Sequence, residues 1–173
     1  LWRSYGEGTG ALIVLVPVLV MAAGQLAGGL AWLAISGEDA PDLVASAPVA
    51  PRDVIRAKIE AVLGAIVIVF SPFLAALVWL APYQALVAGS GVVIAAGSAT
   101  AIQLWFRAQA KRSQFRRRQV SSRIATFAEA FSSIGWAATA AIAAVSLPLA
   151  IPPGLIALAL LIGTTLLAPR QGA

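Results

Sequence analysis

Three stretches of this chain contain no Asp, Glu, Lys or Arg: Gly8 to Gly37, Ala61 to Phe106 and Ala130 to Pro169, runs of 30, 46 and 40 residues. A helix that crosses the hydrocarbon layer needs about 20 apolar residues. The runs therefore have room for one, two and two crossings. The two longer runs are punctuated by Ala81-Pro82-Tyr83-Gln84 and by Pro148 through Pro152-Pro153-Gly154, where turn chemistry lets a chain reverse. The pattern predicts an all-α, polytopic helical membrane protein in one transmembrane domain over 1–173. Its spans are placed at 11–36, 57–80, 84–106, 124–147 and 154–168, and the last is short for a crossing.

Composition supports the choice of solvent. The 173 residues are 60% hydrophobic and 11% charged, well below the roughly 25% charged of an ordinary soluble domain. A soluble bundle of these helices would have too few polar residues to cover its outside. Without Cys or His, there is no disulfide framework and no thiolate or imidazole metal set. The first span is too long for a signal-peptide core and follows Glu7, where a signal peptide would have a basic cluster. A chain that starts at Leu1, and not at Met, is expected to be a fragment or a processed product.

Orientation follows from the short loops, because Lys and Arg accumulate on the cytoplasmic side. Loop 37–56 and the start of the next span carry Arg52, Arg56 and Lys58. Loop 107–123 carries Arg107, Lys111, Arg112, Arg116, Arg117, Arg118 and Arg123, and the tail has Arg170. Only Arg3 falls on the other side. The first residue is thus expected outside and Ala173 in the cytosol. The pI near 10.8 arises mostly from loop 107–123, whose cations suit anionic lipid headgroups of the inner leaflet better than nucleic acid.

Polar residues in the spans are few. Glu129 lies six residues beyond Arg123 and is expected near headgroup level, solvated or facing lipid, in preference to the alternative of a proton relay at membrane depth. Gly24 and Gly28 form a small-xxx-small pair that permits close helix packing, with Gln25 available for an interhelical hydrogen bond. Pro17 and Pro72 are expected to kink their spans. Trp32, Trp79, Tyr83 and Trp105 fall near span ends, as interfacial aromatics do, whereas Trp136 does not.

The segment "SGEDAPDLVASAPVAPRDVIRAKIEAVLG", Ser36 to Gly64, holds five of the seven carboxylates. Asp39 can cap a short helix with Pro41 in its first turn. Leu43, Val44 and Ala47 share its apolar face, and Pro48 ends it. The expected element is a short cytosolic amphipathic helix, after which Pro51 opens a second helix that enters the next span.

This arrangement resembles the permease subunits of bacterial type-2 ABC exporters. The elements that carry the resemblance are Glu38, Asp39, Leu43, Ala47-Pro48-Val49, Arg52 and Lys58, and Asp42 and Val44 join the candidate coupling residues. It implies that the short helix is a coupling helix that docks on a separate ATPase subunit. It also implies a second permease half or a homodimer, a place in the bacterial inner membrane, and a chain similar to a six-span permease lacking its first span. No Gly-xxxx-Gly-Lys-Ser/Thr phosphate loop occurs, so the chain itself is not expected to be an enzyme, and ATP and Mg would sit on the partner. Two rivals remain: a non-transporting assembly or scaffold protein, and a membrane-embedded lipid-modifying enzyme that would have to work with a few loop carboxylates.

Overall fold

A computed structural model of the protein describes residues 2–36, 48–106 and 115–167, and the side chains of 10–11, 13–35, 48–50, 52–106 and 124–166. Five long helices account for nearly all of it. They are α1 (Trp2–Ser36), α2 (Pro51–Leu80), α3 (Pro82–Trp105), α4 (Phe115–Ala143) and α5 (Ile151–Leu167), with a short 3-10 turn, Pro148–Ala150, before α5. Four apolar stretches, Ile13–Ile35, Arg52–Leu80, Pro82–Trp105 and Pro148–Leu166, are long and apolar enough to cross a membrane. α4 is not among them.

Helix ends follow local chemistry. Pro51 and Pro82 each stand at the start of a helix, where a missing N–H costs nothing. Between α2 and α3 only Ala81 leaves the helical conformation, with φ −157° and ψ 82°. The expected four-residue turn at 81–84 is therefore a one-residue break. The Pro152-Pro153 pair behaves in the same way: both prolines lie in the first turn of α5 and start the helix. The apolar stretch that begins at Pro148 thus reaches 19 residues, longer than the expected span from Gly154. At the other end of the same connection, α4 stops at Ala143, short of the expected Leu147. The helices run unbroken through Pro17 and Pro72.

α3 is the axis of the bundle. It packs on α1, α2 and α4, while α1 also contacts α4 and α2, and α5 lies mainly on α4. In α3, 56% of the apolar window is enclosed, against 17% in the α5 stretch. The contact layer is built from small side chains. Ala23 and Ala27 of α1 and Ala88 and Ala99 of α3 are fully buried, which lets backbones approach closely, as helices packed in lipid require. Gly91 of α3 is one such point, because a Cβ there would fall 2.5 Å from Cγ2 of Val20.

The outside of the bundle is apolar. Trp79 is 90% exposed, Leu166 80% and Ile68 75%. A monomer in water rarely shows continuous apolar surface on this scale. Several hydroxyls within the helices are satisfied locally: Thr100 donates to the Ala96 carbonyl at 2.8 Å and Thr139 to that of Gly135 at 2.8 Å. Such back-bonding is how Ser and Thr settle where water is absent. At one end of the bundle the Tyr83 hydroxyl donates to the Ala143 carbonyl at 2.7 Å, giving a partner to one of the carbonyls that the end of α4 leaves open.

Candidate functional site

A stripe of polar residues runs along one face of α4. Glu129, Ser132, Ser133 and Trp136 recur at i, i+3, i+4 and i+7, the spacing of a single helical stripe. Glu129 is 7% exposed, Ser132 2% and Ser133 1%. The opposite face of the same helix shows Phe127, Phe131 and Ile134 outward. α4 therefore inverts the usual arrangement of a helix in water, with polar groups turned inward and apolar groups turned out.

α1 receives this stripe at Gly24 and Gly28. A Cβ on Gly24 would lie 2.5 Å from Ser133 Oγ, and one on Gly28 would overlap the carboxyl group of Glu129. Gly24 and Gly28 are one turn apart, as are Ser133 and Glu129, so the two helices run antiparallel in register. From α3, Gln103 Nε2 donates to Glu129 Oε2 at 2.6 Å. Three helices thus converge on one buried carboxyl. Close by along the stripe, Ser132 Oγ, Ser133 Oγ and Trp136 Nε1 are buried without a protein hydrogen-bond partner.

The burial of Glu129 corrects the expectation that it is solvated or faces lipid. Its distance along the chain from Arg123 suggested headgroup level, but the glycine pair of α1 opens a pocket for it inside the bundle. Gln25, expected to bond across helices, instead lies exposed on the outer face of α1. The signal for the stripe was present in the spacing of Glu129, Ser132, Ser133 and Trp136, and Trp136 finds its explanation there.

The residues singled out for coupling and for lipid contact are placed less completely. Glu38, Asp39, Asp42, Leu43, Val44 and Ala47 lie outside the described residues. So do Arg107, Lys111 and Arg112, and of Arg116, Arg117, Arg118 and Arg123 only the helical backbone of α4 is described. Pro48 and Arg52 are exposed on either side of the point where α2 begins. One turn further, Arg56 Nε meets Glu60 Oε1 at 2.7 Å, an exposed i,i+4 pair.

No family model, no curated protein and no solved structure matches this chain. The fold defines a class: an all-helical chain whose four long apolar helices suit a multi-pass membrane protein.

Proposed function

We propose that the chain is the membrane-spanning permease component of an ATP-driven exporter, coupled through segment 37–50 to a separate ATPase subunit. The observation that supports this most is how that segment is anchored. It joins the end of α1 at Ser36 to the start of α2 at Pro51, and both are unbroken helices, of 35 and 30 residues. A push on the segment is delivered directly to two stiff levers that also pack on one another. α1 then passes the displacement to α4 through Gly24 and Gly28. Alternating exposure of a pathway is the class of motion such a linkage serves.

In this proposal α4 is a fifth crossing. Its 29 residues at about 1.5 Å rise each reach some 43 Å, and the face it turns outward is apolar. With five crossings, the basic loops put residue 1 outside and the C-terminus in the cytosol of a bacterial inner membrane. The crevice lined by Ala31, Ile35, Ile59, Val62 and Leu104 offers about 10 Å³, roughly the space of one water. The substrate pathway is assigned to the boundary with a second permease half or a second copy. Walls rich in Ala, Val, Leu and Ile favour a hydrophobic or amphiphilic cargo.

The test is purification from native membranes in mild detergent. Recovery of a nucleotide-hydrolysing subunit, lost when Asp39 and Asp42 are both changed to Lys, supports the proposal. An intact membrane complex that contains no ATPase rejects it in favour of a scaffold. Leu43→Asp is expected to leave insertion intact and to uncouple ATP hydrolysis from export.

A further inference from the structure

We propose that Glu129, Ser132 and Ser133 form a monovalent-cation site inside the helix bundle, in which one carboxylate oxygen and two hydroxyl oxygens take a sodium ion or a proton. Three observations converge on it. The first is electrostatic. A carboxylate at membrane depth is costly and marks ion pathways when it faces the bundle interior. The described parts of α1, α3 and α5 whose side chains surround the stripe, 13–35, 82–106 and 151–166, contain no Asp, Glu, Lys or Arg. On α4 itself, Glu129 is the one charged residue in 124–143. α2, which bears Arg52, Arg56 and Lys58, packs on α1 and α3.

The second observation is the unpartnered chemistry. Ser132 Oγ and Ser133 Oγ are almost completely buried and accept from or donate to no protein group. Buried hydroxyls nearly always have a partner. These two sit three and four residues from the carboxyl, on the same face of the same helix. A hydroxyl has two lone pairs and one freely rotating proton, so it can offer oxygen to a cation or accept a hydrogen bond from a protonated carboxyl.

The third observation concerns the carboxyl group itself. Gln103 Nε2 occupies Oε2, which fixes the group's orientation and leaves Oε1 as the oxygen for the cation. The donor set is hard oxygen throughout, and the chain has no Cys or His. It therefore suits an alkali ion or a proton and not a soft transition metal. The site lies where α1, α3 and α4 meet, so its occupancy bears on the packing of all three.

Infrared difference spectroscopy of the full chain in lipid nanodiscs tests this directly. Uniformly ¹³C-labelled glutamate shifts only the bands of Glu7, Glu38, Glu60 and Glu129, so the carboxyl is followed without substitution. Glu129→Gln then assigns the band. In sodium-free choline buffer near neutral pH, a protonated-carboxyl band that vanishes in Glu129→Gln and is indifferent to sodium identifies the proton as occupant. Replacement of that band by a carboxylate band on adding sodium identifies sodium, and Ser132→Ala/Ser133→Ala should raise the sodium midpoint about tenfold or more. For the proton, the same double variant should move the C=O stretch, because its hydrogen-bond acceptor is gone. A Glu129 carboxylate band in choline buffer, unchanged by sodium, overturns the proposal, since the charge is then balanced by a protein cation or by bulk water. An unchanged sodium midpoint, or an unchanged C=O stretch, in the double variant overturns the role of the serines. None of these readouts involves an ATPase, so their failure is distinct from failure of the exporter assignment.

Discussion

Gly28→Ala is the sharpest perturbation of the α1–α4 contact, and Gly29→Ala is its control one residue away. The added Cβ at 28 would overlap the Glu129 carboxyl, whereas at 29 it would meet nothing within 4 Å. Overpacking a close contact costs about 1–3 kcal/mol. Glu129 could retreat only by releasing Gln103, and a buried polar group left without its partner costs about 1–3 kcal/mol more. The expected loss for Gly28→Ala is thus about 2–6 kcal/mol. For Gly29→Ala the expected change is within about 1 kcal/mol, on the scale of the Gly-to-Ala difference in helix propensity. Equilibrium unfolding in mixed micelles of increasing denaturing-detergent content, followed by helicity, measures both. The same comparison in a Glu129→Ala background should abolish most of the penalty at 28, because the clashing group is gone, and the cycle isolates the pair. Equal stabilities for the two single variants would refute the contact, and a penalty that persists without Glu129 would refute its cause.

Three smaller expectations can be checked alongside. Tyr83→Phe removes the hydroxyl bonded to the Ala143 carbonyl and should cost about 0.5–1.5 kcal/mol in the same unfolding assay; no change would show that the bond does not form in lipid. Arg56→Ala breaks an exposed i,i+4 pair and should alter stability by about 0.5 kcal/mol or less, so a loss above about 1 kcal/mol would place that pair in a wider network. Single cysteines introduced at Ser113 and at Gln84 should react with an impermeant maleimide from opposite sides of the membrane, and same-sided labelling would overturn the topology.

The positions of α1, α2 and α3 were legible from the charge-free runs, because the absence of charge over 20 or more residues is a property of composition that needs no tertiary knowledge. Their ends were less so. A helix can extend beyond its apolar part at little cost, and α2 does so by starting at Pro51, ahead of the 57–80 span. Pro152-Pro153 shows a second limit: the same residues that break a helix interior are welcome in its first turn, and sequence alone does not say which side of the boundary they occupy. The candidate site was hidden for a third reason. Whether Glu129 faces lipid or protein depends on Gly28, which lies far earlier in the chain and on another helix. Local spacing revealed that Gly24 and Gly28 could admit a close neighbour, and separately that Glu129 was anomalous. Only packing joined the two.

The inward-facing stripe of α4 has a consequence for how the protein is made. A segment bearing an acid and several hydroxyls is a poor entrant into hydrocarbon when it leaves the ribosome with no neighbours, but a good one when α1 and α3 already offer a glycine notch and an amide to receive it. Biogenesis is thereby made sequential. In the five-crossing proposal the earlier helices serve as a template, and α4 would enter with α5 as a late pair whose membrane retention depends on recognition by helices synthesised long before it.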